Sequence, residues 1–318
     1  MTKKSPINKT ISVIIPVFNE QENLAWLHDK VAKYLADRDL DFEIIFVDDG
    51  SNDGSLAAMK QLHTQNPKTV RYLALSRNFG KEAATSAGLS AVKNDAAIIM
   101  DADGQHPVEL IDTFLELWHA GNDVVVGIRT SNINEGFVKK YGSKLFYAML
   151  KVIGGKTAVA GTTDFRLIDR KVIDSFNQLT ERNRVTRNLI DWLGYQRVEV
   201  PFEAAERHAG QAAYSFQKLL KLALNGIVSH STRPLKVIAL LGLLISTLSA
   251  ILGVVLAAQK YIFGDPLGLS VTGSALLALF VTFLVGIVLV CQGLLALYIE
   301  SVYYETQNRP LYLIKESS

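Results

Sequence analysis

The residues best suited to chemistry in this chain are acids and amides in short polar stretches: Asn19-Glu20, Asp48-Asp49, and Asp101 and Asp103 on either side of Ala102. Two carboxylates at i and i+2 on extended backbone point the same way, with the residue between them turned back. Several carboxylates on one rim repel each other unless a cation joins them. Hard oxygen ligands suit Mg²⁺ or Mn²⁺, and Mg²⁺ completes its shell with substrate phosphates. The chemistry expected is a metal-bridged nucleoside diphosphate, with Asp101 and Asp103 on the metal. Helix capping is the competing role for Asp49, Ser51 and Asn52, and Ser51 to Asp53 are expected to cap the following helix. Capping does not account for Asp101 and Asp103, which run on into Gly104-Gln105-His106-Pro107. His106 precedes a proline at a helix start and reads as local structure.

A set of alternating elements must position these acids. Short apolar strands are expected at Ile11–Pro16, Phe42–Val47, Val70–Leu75, Ala96–Met100 and Asp123–Gly127. Helical periodicity fills Glu22–Ala36, Gly54–Gln65, Lys81–Val92 and Pro107–Ala120. Continuous apolar strands separated by helices predict an α/β fold, with a mostly parallel sheet covered on both faces. Such sheets bind ligands at the carboxyl ends of their strands. Asn19-Glu20 follows the first strand, Asp48-Asp49 the second, and Asp101 and Asp103 the fourth.

Composition and missing motifs exclude several classes. The 318 residues carry 33 Lys and Arg against 31 Asp and Glu, a net charge of +2, so no nucleic-acid partner is expected. No G-x-x-x-x-G-K-[ST] loop is present, and the turn after the first strand reads Val17-Phe18-Asn19-Glu20 rather than a glycine-rich dinucleotide fingerprint. Cys291 is the single cysteine, which excludes an internal disulfide and a cysteine-based zinc site. The six histidines show no ligand cluster.

The chain changes character after Ser231. Residues 235–258 and 271–299 are apolar, the first with one charge at Lys236 and the second with none. Each exceeds the roughly 20 helical residues that cross a bilayer, so two transmembrane helices are expected. Lys218, Lys221, Arg233 and Lys236 precede them, and Arg309 and Lys315 follow. The positive flanks place the catalytic part, residues 1–214, and the tail, residues 301–318, on the cytoplasmic side of the plasma (inner) membrane. The basic start MTKKSPINKT has no apolar signal core behind it, which agrees. Residues 215–233 form an amphipathic stripe, fitting a helix in the membrane interface or one packed on the soluble part. Gly242, Ser246, Ala250 and Gly253 recur at helical spacing, as either a homo-oligomer seam or contact between the two spans.

Five ordered motifs carry a family resemblance: Pro16-Val17-Phe18-Asn19-Glu20, Asp48-Asp49-Gly50-Ser51, Ser76-Arg77-Asn78-Phe79-Gly80-Lys81, Asp101 through Pro107, and Asp164-Phe165-Arg166. Together they resemble the family 2 glycosyltransferases of GT-A fold. More narrowly they are similar to polyisoprenyl-phosphate glycosyltransferases, such as dolichyl-phosphate mannose synthases and the bacterial GtrB type. The resemblance extends over nearly the whole chain, through Asn308-Arg309-Pro310-Leu311-Tyr312. It implies a hexosyltransferase that moves a sugar from a nucleotide sugar, UDP-glucose first, to a polyisoprenyl (undecaprenyl or dolichyl) phosphate with inversion. GDP-mannose and UDP-aminoarabinose are the alternative donors. Pro16, Glu20, Asp48, Asp49, Arg77, Lys81 and Gln105 would hold the nucleotide sugar, and Asp101 and Asp103 the metal and diphosphate. Arg129, Arg207 and Lys218 would collect the lipid phosphate. The stretch Gly210-Gln211-Ala212-Ala213-Tyr214-Ser215 lacks the Glu-Ser-Lys usual in the family.

Charge builds on the leaving diphosphate, and the metal with its two aspartates would neutralise it. The acceptor phosphate, with a second pKa of about 6, is largely ionised at neutral pH and needs no strong base. Asp164 is therefore expected to orient substrate or Arg166, with an ordinary ion pair as the competing role. Arg184 and Arg187 read either as acceptor-loop cations or as amphipathic surface. A processive synthase would carry a Q-x-x-R-W element, which is absent. A non-catalytic nucleotide-sugar-binding membrane protein is the remaining rival.

Overall fold

A computed structural model describes residues 10–38, 40–130, 162–182, 184–203, 251 and 273–318. The chain divides into two units. The first comprises Met1–Lys144, Thr157–Tyr214 and Asn308–Ser318, and contains all eight described strands.

The strands are β1 (Thr10–Val17), β2 (Asp41–Asp48), β3 (Val70–Leu75), β4 (Ala96–Ile99), β5 (Val124–Arg129), β6 (Thr162–Asp169), β7 (Arg197–Phe202) and β8 (Ile314–Ser317). The helices are α1 (Gln21–Ala36), α2 (Ser55–Gln65), α3 (Lys81–Ala91), α4 (Leu110–His119), α5 (Arg170–Asn177) and α6 (Thr186–Trp192). The strands form one sheet in the order β7-β5-β6-β4-β1-β2-β3-β8. β1 pairs in parallel with β2 and β4, as do β2 with β3 and β5 with β7. β6 runs antiparallel to both β4 and β5, and β8 runs antiparallel to β3.

Apolar residues on both faces make this a three-layer sandwich. Ile11, Val13 and Ile15 of β1 share one core with Leu24, Leu27, Met59, Ile111 and Phe114 of α1, α2 and α4. Ile14 faces the other way, into a core with Ala84, Ala87, Val172, Ile173 and Ile190 of α3, α5 and α6. This period-2 alternation sets the strand's register.

The topology also determines where a ligand fits. The chain lays β1, β2 and β3 outward in turn, then crosses back to put β4 on the far side of β1. In open α/β sheets, such a reversal leaves a crevice at the carboxyl ends of the two flanking strands. The β1–β4 pairing stops at Ile14 with Ile99, while β1 continues to Val17 beside β2. Pro16 lies beyond that ladder, so its missing N–H costs no hydrogen bond to β4.

The expected strands and helices appear, with informative differences. β4 ends at Ile99, so Asp101 and Asp103 lie in the loop after the strand, Asp103 within a turn. Ala102 nonetheless faces the core, 4% exposed. The helix expected from Pro107 starts at Leu110, and a further short helix covers Thr186–Trp192. Asp164-Phe165-Arg166 lies on a strand, β6, which the sequence pattern did not reveal.

In the second unit the described helix is α7 (Gly273–Thr306), 34 residues long and without Asp, Glu, Lys or Arg before Glu300. It runs beyond the expected end at residue 299. Among the described residues, no helix is long and apolar enough to cross a membrane. The expected span at 235–258, the interfacial stretch at 215–233, Arg207 and Lys218 lie outside the described residues, Ile251 excepted.

Candidate active site

The rim at the carboxyl ends of β1, β2 and β4 is built from loops that bond to one another. After β1, Asn19 adopts a left-handed backbone (φ 57) that asparagine tolerates. Its N–H donates to Ser51 Oγ at 2.9 Å, and its Oδ1 accepts from Asn52 N at 2.8 Å. Ser51 and Asn52 thus latch the β1 and β2 loops together. Asp53 serves the start of α2, accepting from Ser55 N at 2.9 Å. Glu20 accepts from Asn23 Nδ2 at 2.5 Å and gives its N–H to Ser55 Oγ at 3.0 Å. Asp48 is buried and accepts from Ser51 N at 3.1 Å.

Asp49 holds the loop between β3 and α3. Its two carboxylate oxygens accept from Phe79 N at 2.7 Å and Gly80 N at 2.9 Å. Burial pushes its pKa up, against these two backbone donors. Both oxygens thus brace the loop that leads into α3, and each keeps a lone pair for a further contact. Gly50 makes the close approach of this loop possible. It has φ +70, and a Cβ there would lie 2.4 Å from the Arg77 carbonyl carbon. Arg77 is exposed and stacks its guanidinium over Phe79, 4.2 Å from the ring centroid.

Loop and strand together deliver Lys81 to the centre of the acids. Lys81 opens α3, and its Nζ lies 2.5 Å from Asp101 Oδ1 and 2.8 Å from Asp164 Oδ2. Asp164 comes from β6, whose antiparallel run brings its N-terminal end to the rim where β4 ends. Arg187 of α6 stands 3.7 Å from the other oxygen of Asp164. Burial opposes the charge on Lys81, but Asp101 and Asp164 outweigh it and raise its pKa. Burial alone would raise the pKa of Asp164; Lys81 and Arg187 prevail and lower it to about 2.

The turn holding Asp101 and Asp103 is stiffened from below. Asp101 N donates to His106 Nδ1 at 3.0 Å, which leaves the ring proton on Nε2, 4.0 Å from Asp101 Oδ2. The imidazole stacks on Phe165 with centroids 4.7 Å apart, and burial lowers its pKa. Asp103, 9% exposed, accepts from Gln105 N at 3.1 Å. Asp101 Oδ1 is buried, and the Lys81 ammonium 2.5 Å away is its partner. A buried hard oxygen beside a second aspartate fits a hard divalent cation. Among the described residues, no three His, Cys, Asp or Glu side chains stand close enough to hold a metal by themselves.

Arg129 is the exposed last residue of β5, and β5 runs parallel to β4 with β6 between them. It therefore reaches the same rim, two strand spacings or about 10 Å from β4. Three members of the site were not legible in the sequence as a group: the contact of Lys81 with Asp101 and Asp164, the approach of Arg187, and Glu82. The Glu82 carboxylate accepts from Thr186 N at 2.7 Å and so ties α3 to α6. The only sequence signal was the Lys81-Glu82 pair opening a helix just after a strand end.

Residues 12–176 match the family model described as glycosyl transferase family 2. The chain belongs to that family. It is a glycosyltransferase, and the expected hexosyltransferase class and GT-A fold stand. The chain is 39% identical to a glycosyltransferase of Synechocystis, sll0501, described as uncharacterized, over 96% of this chain and 95% of that one. It is 36% identical to the bactoprenol glucosyl transferase of Shigella phage SfII, over 96% of this chain and 98% of that one. Among solved structures, glucosyl-3-phosphoglycerate synthase of Mycobacterium tuberculosis, in complex with Mn²⁺, UDP and phosphoglyceric acid, is 17% identical with a TM-score of 0.47. That match covers 69% of this chain and 76% of the synthase, and at that level it bears on nothing in the site.

Proposed function

We propose that this family 2 glycosyltransferase moves glucose from UDP-glucose to the phosphate of a membrane polyisoprenol, with inversion, giving a lipid-linked sugar. The observation that carries this is full-length similarity to a bactoprenol glucosyl transferase, together with the acids gathered at the β1–β4 crevice. Asp101 and Asp103 would hold Mg²⁺ or Mn²⁺, which supplies charge neutralisation for the departing diphosphate. Two carboxylates are a partial donor set, suited to an ion that shares its shell with phosphate oxygens. Pro16, Glu20 and Asp48 would contact the nucleoside, and Gln105 would lie beside the diphosphate. Asp164, held ionised by Lys81 and Arg187, positions cations and is too weak a base to take a proton at neutral pH. None is needed, because the attacking phosphate is already an anion. Arg129, with Arg207 and Lys218, would receive that phosphate. Residues 235–258 and 271–299 would span the plasma membrane, and the continuous helix α7 supports the second span.

Membranes containing the enzyme, given UDP-[¹⁴C]glucose and undecaprenyl phosphate, are expected to pass label into organic-extractable lipid, with EDTA stopping the transfer. No lipid label, with the acceptor present and the protein folded, would sink the proposal.

A further inference from the structure

We propose that Lys81 is a positioning residue that serves as the site's own counter-cation. It occupies the place beside Asp101 until a nucleotide diphosphate arrives, and so makes metal capture depend on the nucleotide. This rests on the proposed function. The Lys81 ammonium lies 2.5 Å from Asp101 Oδ1 and 2.8 Å from Asp164 Oδ2, in contact with the same buried oxygen that fits a divalent ion. Its backbone cannot drift. Gly80 is held by Asp49, and Ala83 N and Ala84 N return to Gly80 O at 3.0 and 3.1 Å.

The consequence is electrostatic. Without Lys81, Asp101 would lose its ammonium partner and Asp164 would keep Arg187, 3.7 Å away, and Arg166 as counter-charges. With Lys81 in place, a bare metal ion must remove an ammonium from its partner and then lie close to it. A diphosphate changes the balance, because it offers Lys81 new oxygens. The flexible four-carbon stem lets the ammonium swing to them, while Asp164 keeps hold of it and limits the swing. Metal and nucleotide then assist each other's binding, and the assistance is equal in both directions.

The test is Mn²⁺ affinity of the full-length protein, read by the electron paramagnetic resonance of free Mn²⁺ with and without UDP. Wild type is expected to bind Mn²⁺ weakly alone and at least about tenfold more tightly with UDP. Lys81→Met, and Lys81→Gln as a second neutral variant, are expected to bind Mn²⁺ alone about tenfold more tightly and to lose most of the UDP effect. Lys81→Arg, which keeps the charge, is expected to behave like wild type in the absence of UDP. Folding of each variant is checked by thermal melting. If folded Lys81→Met and Lys81→Gln bind Mn²⁺ no better than wild type and keep the full UDP effect, the role of Lys81 is overturned while the function stands. If no protein binds Mn²⁺ even with UDP, or Asp103→Ala binds it as wild type does, the metal assignment falls and this proposal with it.

Discussion

Asp164 shows how a side chain's neighbours choose its chemistry. A carboxylate in a family of sugar transferases invites the role of base. Here Lys81 at 2.8 Å and Arg187 at 3.7 Å hold it ionised. A depressed carboxylate pKa stabilises the fold above the unfolded-state value, and that stability is lost as pH falls through the folded-state value. With an ordinary value of 3.8 and a folded value of about 2, the loss falls between about pH 4 and pH 2. The contribution is on the order of 2 kcal/mol at most. Acid melting curves should show it as a steeper loss of stability in wild type than in Asp164→Asn over that window. Asp103 tests the opposite case, a residue proposed to hold the metal. Its bond from Gln105 N stays within one turn, so Asp103→Ala should fold normally. Transfer should drop by about 100-fold or more, measured as lipid-extractable label. Both acids stood out in the sequence. That Lys81 bridges Asp101 and Asp164 did not, because residues 81, 101 and 164 meet only through the sheet.

The elements decide how firmly these side chains are presented. α3 carries Lys81 and packs closely on β1 at Gly88, where an added Cβ would come within 2.4 Å of Ile14 Cγ2. Gly88→Ala should destabilise the protein by about 1–3 kcal/mol through overpacking. It should also reduce transfer, since any relief tilts the helix that aims Lys81. Thermal melting and label transfer on the same preparation check both. The first five strands were legible because buried parallel strands are unbroken apolar runs. β6 was not, because Thr162–Asp169 mixes polar with apolar residues. Arg166 within it is 1% exposed, and it becomes acceptable by donating to Thr163 O at 3.0 Å and Arg187 O at 3.5 Å and by standing 3.8 Å from Asp191 Oδ1. The carboxylate comes from α6, a separate element of the fold. β8 is harder still to see: Ile314–Ser317 has no apolar pattern and becomes a strand by pairing with β3.

At the scale of the whole molecule, the chain's last residues return to the catalytic unit. Glu316 meets Lys60 Nζ at 2.6 Å and Tyr72 Oη at 2.9 Å, while Ser76 N donates to Leu313 O. Tyr312 packs against the core beneath. Ending the chain at Arg309 would strip β3 of its outer neighbour and expose an open edge. The truncated protein should melt earlier and aggregate on heating, measured by light scattering. If the spans lie as proposed, a reporter fused after Ser318 should be found on the cytoplasmic side, and an external signal alone would contradict that topology. The sequence by itself determined the α/β class, the family, and the acids that end strands β1, β2 and β4, since strand periodicity and motif order are local properties. The tertiary structure decided what those acids do together. A reversed strand order opened the crevice at β1 and β4, an antiparallel β6 carried Asp164 into it, and α3 put an ammonium between two carboxylates. Charges act through space, and the distances that set their strength exist only once the sheet has formed.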